Sequence, residues 1–229
     1  MLSNKLNFTV AHHALLHFFN SQYWSTTELN LLNDFFLTHH SDNIDKLKLR
    51  LISEENNDCL VAAFLADSSP FIRDFLFQRY RFNFSFVKIS FNLHAHPNAL
   101  QKWRDKSLAD ISALLNFQLP PHDIFSRNKV ETLVAVLDNF LSFLLSFPSS
   151  DPSFIETLKS KLANFQELLF TLKQYLYSNS TSPHVRIIRL KILHPYFSVK
   201  ELEDVSGFSH SSVSHHLHLF QSRHLPLIS

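Results

Sequence analysis

Glycine is nearly absent from this sequence. There is one, Gly207, in 229 residues, where an average composition of about 7% would supply roughly sixteen. Tight β-hairpin turns need residues that tolerate positive φ, so this scarcity argues against hairpin-rich architecture. It also excludes any Gly-rich loop that could cradle a phosphate. Cysteine is as rare: Cys59 is alone, so no internal disulfide can form and a reducing, cytoplasmic setting is expected. No long uninterrupted apolar run is present, so no membrane span is expected, and the amino-terminal stretch lacks the small-residue cleavage site of a signal peptide. None of the H-E-x-x-H, C-x-x-C or G-x-S-x-G motifs occurs, which argues against an enzyme and against a motif-built metal site. No cofactor is expected.

What is abundant points one way. The chain is 45% hydrophobic and 18% charged with a net charge of +1, so it has the material for a core and is not polybasic as a whole. Helices joined by Pro, Ser, Asn and His turns are the natural outcome. The expected fold is all-α and multi-helical.

Residues 7–40 predict one or two Phe- and His-rich helices, with a capping-box start at "STTE", 25–28. The charged stretch 41–58 predicts a partly exposed helix and turn, and Ser69-Pro70 the start of another helix. The double proline in "FQLPPHDIFS", 117–126, marks a boundary, and "SNSTSP", 178–183, a second. Three segments follow: 1–119, a helical hairpin at 120–180, and 181–229. In the hairpin, Asp151 should cap the second helix with Pro152 in its first turn. Ile155, Leu158, Leu162, Phe165, Leu169, Leu172 and Leu176 recur at spacings of 3 and 4. Such a heptad seam serves either an intramolecular hairpin or a homodimer through 127–177.

The solitary glycine sits in "FSVKELEDVSGFSHSSVSHHLHLF", residues 197–220. Ser198 as N-cap with Glu201 as its capping-box partner starts a short helix, which Gly207 ends by leaving the right-handed region. Phe208 should then plug the core and Ser209 cap a second helix, whose buried face is Val213, Leu217 and Phe220. The positions Ser211, Ser212, Ser214, His215 and His218 are left outward, short or polar as a helix laid in a major groove requires. The segment "GFSHSSVSHHLHLF" resembles the recognition segment of arsenical-resistance-repressor-type (ArsR-type) helix-turn-helix regulators, which often read G-L-S-Q-S-T-V-S-H-H-L-K-L-L. The likeness covers about residues 184–225. It implies a recognition helix from Ser209 or His210 to Ser222, and hence contact with double-stranded DNA. Ser206 stands where that family has a buried leucine, and Val205 is expected to fill the space. The family's metal-sensing cysteines are missing, and the sequence ends at Ser229, where a β-hairpin wing would begin, so neither metal sensing nor a full wing is expected.

A second segment, "QRYRFNFSFVKISFNLHAHPNALQKWRDKSLADI", 78–111, repeats this logic without glycine. Ile89 and Leu93 would face the core of a short helix from Ser85, "HAH" at 94–96 would turn, and Pro97 would open the next helix. Leu100, Trp103, Leu108 and Ile111 would line its buried side. Asn98, Gln101, Lys102, Arg104 and Lys106 would face outward, as side chains suited to adenine, guanine and phosphate. The pattern is similar to region 4 of bacterial sigma factors, S-x-x-x-I-A-x-x-L-x-x-S-x-x-T-V, with His94, Ala95 and His96 in the glycine, apolar and cap slots. Between Arg73 and Lys106, seven basic residues (Arg73, Arg79, Arg81, Lys88, Lys102, Arg104 and Lys106) face only Asp74 and Asp105. The near-neutral total hides this local excess.

The expected function is therefore that of a bacterial-type transcriptional regulator, non-enzymatic, with two DNA-reading segments joined by a helical hairpin. The alternative is an interaction protein whose basic face docks an acidic partner such as an RNA polymerase subunit or a regulator protein. Seven of the fifteen histidines lie in 184–229, and their protonation is expected to strengthen attraction to phosphate.

Overall fold

Proline and serine punctuate the helices. The computed structural model describes residues 8–20, 41–146 and 151–227, and these carry ten α-helices and no strand. They are α1 (8–20), α2 (Ser41–Ala66), α3 (Pro70–Tyr80), α4 (Phe86–Leu93), α5 (Pro97–Leu115), α6 (Arg127–Leu145), α7 (Pro152–Tyr177), α8 (Pro183–Leu193), α9 (Val199–Ser206) and α10 (His210–His224). Proline is the first residue of α3, α5, α7 and α8, where its missing N–H leaves no hydrogen bond unmade and its fixed φ suits the helix. Ser85, Ser126, Asp151, Ser182, Ser198 and Ser209 cap six helices, each side-chain oxygen accepting a backbone N–H from the first turn. The expected capping box at 25–28 lies outside the described residues. None of these helices is long and apolar enough to cross a membrane.

The turn expected within 41–58 does not occur; α2 runs unbroken from Ser41 to Ala66. The stretch is polar but holds neither Gly nor Pro, so nothing in it forces a break. An Arg50–Glu54 ion pair at 2.9 Å spans one helical turn there.

The chain divides into two compact units. One comprises the described residues up to Leu65 together with Pro70–Leu115. Its core includes Leu15, Leu60, Phe64, Phe75, Leu76, Ile89, Leu100 and Ile111, all buried. Within it, α1 is tied to α3 by the contact of His12 Nδ1 with the Tyr80 hydroxyl at 3.2 Å and by Arg81, which donates to the Phe19 carbonyl at 3.0 Å.

The other unit comprises Ala66–Ser69 and everything from Asn116. Helices α6 and α7 pack side by side, and the Lys173–Glu131 pair at 3.3 Å joins the start of one to the end of the other. They are therefore antiparallel, as an intramolecular hairpin requires. Ile155, Leu158, Phe165 and Leu172 of the expected seam are buried, together with Leu168, while Leu162, Leu169 and Leu176 are half-buried. The segments 120–180 and 181–229, separated in the sequence reading, fall in this one unit. Phe220 of α10 meets Phe125 at 4.8 Å and Tyr175 of α7 at 5.4 Å between ring centroids. Arg189 of α8 donates to the Tyr175 carbonyl at 3.3 Å and also to that of Ser178, closing the polar 178–183 stretch against the hairpin.

A buried polar network anchors 66–69 to the start of α6. Lys129, only 3% exposed, places its ammonium 2.7 Å from Asp123. The hydroxyl of Ser126 donates to Asp67, whose carboxyl is pushed above its usual range by burial.

Candidate nucleic-acid interface

Two places in the chain share one local geometry. In the carboxy-terminal unit, α9 has eight residues and begins with a complete capping box. The Ser198 hydroxyl accepts the Glu201 N–H, while the Glu201 carboxylate accepts the Ser198 N–H at 2.6 Å. Hydrogen bonding from the Ser198 backbone N–H, and then from its side chain, holds the Glu201 carboxyl below its usual range. Gly207 ends the helix at φ 72°, ψ 11° and donates to the Glu203 carbonyl at 2.9 Å. This is the left-handed region, which explains why the one glycine stands here. Three residues later α10 begins, capped by Ser209. Helices α8, α9 and α10 all pack on one another, with Ile187, Ile188, Ile192, Leu202, Val213, Leu217 and Phe220 buried between them.

In the other unit, α4 also has eight residues and a serine N-cap, Ser85. His94 follows it at φ 50°, ψ 40°, donating to the Ser90 carbonyl. The turn is again three residues, and α5 follows. A histidine thus occupies the left-handed position that glycine fills at 207, at an intrinsic cost of about 1–2 kcal/mol. His96 takes the cap position with its ring: Nδ1 accepts the Asn98 N–H at 3.2 Å. Ile89, Leu100, Leu108 and Ile111 are buried as expected. Leu93 and Trp103 are half-buried, Trp103 edge-on to Phe71 at 4.5 Å.

The outward faces differ in character. On α5, Asn98, Gln101, Lys102 and Lys106 are exposed at helical spacing. Arg104 is not on that face. It is half-buried, its guanidinium 2.7 Å from the Asp105 carboxylate and 5.5 Å from the centroid of the Phe86 ring, because it lies one turn after the buried Leu100. On α10, Ser209, His210, Ser211, His215 and His218 are exposed, and Ser212 and Ser214 are half-buried. The His210 ring stands 3.6 Å from the Glu203 carboxylate.

Two expectations around Gly207 fail. Val205 does not fill the slot left by Ser206; it is 57% exposed, and Ser206 itself is buried. The serine is tolerated there because its hydroxyl accepts the Phe208 N–H at 3.2 Å. Phe208 is half-buried and does not plug the core; the guanidinium of Arg186 lies 5.1 Å over its ring.

Six histidines of this unit, on α8 and α10, form two sets. His210, His215 and His218 are exposed. His184, His216 and His224 are packed in, and burial above all, then cationic neighbours, holds each below the ordinary imidazole range. These three therefore resist the protonation that was expected to aid phosphate attraction. His184 bridges helices: its Nε2 is 2.9 Å from the Tyr175 hydroxyl and its Nδ1 is 3.3 Å from Nδ1 of His216. Sequence reasoning missed this chain of contacts because His184 and His216 stand 32 residues apart. Lys88 was counted only as charge, yet its ammonium sits 3.4 Å over the Phe84 ring, a placement the i, i+4 spacing hints at. Compared with protein-family models, curated proteins and solved structures, the chain matches none.

Proposed function

We propose that this protein is a sequence-specific, duplex-DNA-binding transcriptional regulator that acts by equilibrium binding and performs no chemistry. What supports this reading is the repeated local geometry: an eight-residue helix, a left-handed residue, a three-residue turn and a longer helix with a polar outer face, present at both α4–α5 and α9–α10. Lys102 and Lys106 would neutralise phosphates, and Asn98 and Gln101 would read base edges. On α10 the short serines and the imidazoles of His210, His215 and His218 would lie against the groove. Two reading segments in one chain would span two half-sites, raising affinity through effective concentration. Fluorescence anisotropy against duplex DNA over a salt series tests this, since phosphate neutralisation makes affinity fall steeply with salt.

A specific observation favours a second reading. On α4, Phe91 is 74% exposed and Val87, one turn earlier, 59% exposed, with exposed Lys88 beside them. Apolar side chains next to a cation suit an acidic, amphipathic protein segment. Binding to a regulator or polymerase subunit that persists at high salt, with no binding to duplex DNA, would favour this reading.

A further inference from the structure

The contact chain Tyr175–His184–His216 joins three helices, α7, α8 and α10. A hydrogen bond between two imidazole nitrogens exists only while one ring donates and the other accepts. Two proton arrangements satisfy the chain. In one, the Tyr175 hydroxyl donates to Nε2 of His184, whose Nδ1–H donates to Nδ1 of His216. In the other, the direction reverses throughout. A single extra proton is still accommodated, as one ring can donate to the other. With both rings protonated, two Nδ1–H groups point at each other across 3.3 Å, and the bond becomes a repulsion.

The surroundings resist that second proton. The charged groups acting on His184 are, in descending effect, His216, Arg223, His215 and His224, and His215 acts on His216. From α7, Tyr175 remains a neutral phenol, its ionisation raised chiefly by burial, and Glu167 acts on His224. From α8, Arg189 spends its guanidinium on the Tyr175 and Ser178 carbonyls. When acid forces the pair to charge, α10 is the element it pushes on, because α7 and α8 are tied to each other by Arg189 as well.

We propose that Tyr175, His184 and His216 form a proton-sensitive brace that seats α10, so that acidification loosens α10 and weakens the binding of DNA through it. The second half of this rests on the function proposed above; the first half stands on packing alone. His184 is a positioning residue, and its role is distinct from the exposed imidazoles of α10, whose protonation acts in the opposite direction by attracting phosphate.

Hydrogen–deuterium exchange of the full chain, corrected for intrinsic rates and taken at about pH 8 and about pH 5, reads the brace directly. Amides of α10 are expected to lose protection at the lower pH while those of α6 keep theirs. In the His184→Gln/His216→Gln double variant the acid-induced loss in α10 should shrink to the part that His224 contributes, since the brace can take up no second proton. His216→Gln alone, at a half-exposed position, should shrink it as well and serves if the double variant fails to fold. Unchanged protection of α10 in the wild-type chain, or the same acid-induced loss in the variants, overturns the brace. Anisotropy with duplex DNA at fixed salt tests the second half: acidification should lower wild-type affinity and leave the variant's unchanged or higher. Wild-type affinity that holds or rises while α10 loosens overturns the link to DNA. Absence of DNA binding at both pH values overturns that link together with the proposed function, and exchange alone then decides the brace.

Discussion

Replacing Gly207 with alanine isolates a single backbone contribution. The residue sits at φ 72°, and a Cβ built there meets no atom within 4 Å. Nothing clashes, so the cost is the intrinsic penalty of the left-handed region, about 1–2 kcal/mol. Alanine also restricts the unfolded chain, which offsets about 0.4–1 kcal/mol. The net expectation is a loss of about 1 kcal/mol, confined to the α8–α10 bundle. Both tryptophans of the chain, Trp24 and Trp103, lie outside the α8–α10 segment in the sequence, so Trp fluorescence places no probe within it. Native-state hydrogen exchange does, and amides of α9 and α10 should exchange about fivefold faster in Gly207→Ala. The same reasoning gives the opposite sign at His94, which holds φ 50° with a side chain. His94→Gly should slow exchange in α4 and α5 by a factor of about two to five. Unchanged exchange in Gly207→Ala would refute the claim that glycine stands there for its backbone. So would a loss above about 3 kcal/mol, which only a steric clash could produce.

Other outcomes follow from the same structure. Lys129→Met leaves the buried Asp123 carboxylate without its cation; chemical denaturation should show a loss of about 3–5 kcal/mol in the unit that holds it. Ser209→Ala removes the hydroxyl that accepts the Ser212 N–H, and exchange at the start of α10 should quicken by an amount matching about 1 kcal/mol. The depressed titration of His184, His216 and His224 stabilises the fold above pH 6.5, their unperturbed value, and that contribution disappears as pH falls through the lower folded values. A thermal melt of the carboxy-terminal unit should therefore move to lower temperature on acidification below that point.

What could be read in the sequence was what neighbours in the chain decide. The capping box of Ser198 with Glu201, the break at Gly207, the caps at Asp151 and Ser209 and the helix start at Ser85 each depend on residues within a turn of one another, and all are present. Burial of Val213, Leu217 and Phe220 followed from helical spacing. The misses share a different cause. Lys129 carries no burial signal in its neighbours, and only the folding of Asp123 beside it makes burial tolerable. Arg104 looked outward because its charge suggested water, yet the Phe86 ring and Asp105 hold it half-buried. The unbroken α2 shows that a polar composition alone does not end a helix. Ser206 and Val205 exchanged expected places because a hydroxyl can find a backbone N–H inside the turn. The Tyr175–His184–His216 chain carries no sequence signal, since three helices must pack before its atoms meet.

Whether this protein binds duplex DNA through phosphate neutralisation is the central question, and one titration addresses it. Anisotropy of the full chain with random-sequence duplex DNA, measured from low to high salt, should show affinity that falls linearly on a log–log plot. Its slope divided by about 0.9 counts the phosphates neutralised, and Lys102→Ala or Lys106→Ala should each reduce that count by about one. Absence of binding at low salt, or a slope that neither lysine variant changes, would contradict the account and direct attention to the exposed Phe91 and Val87 as a protein-docking face.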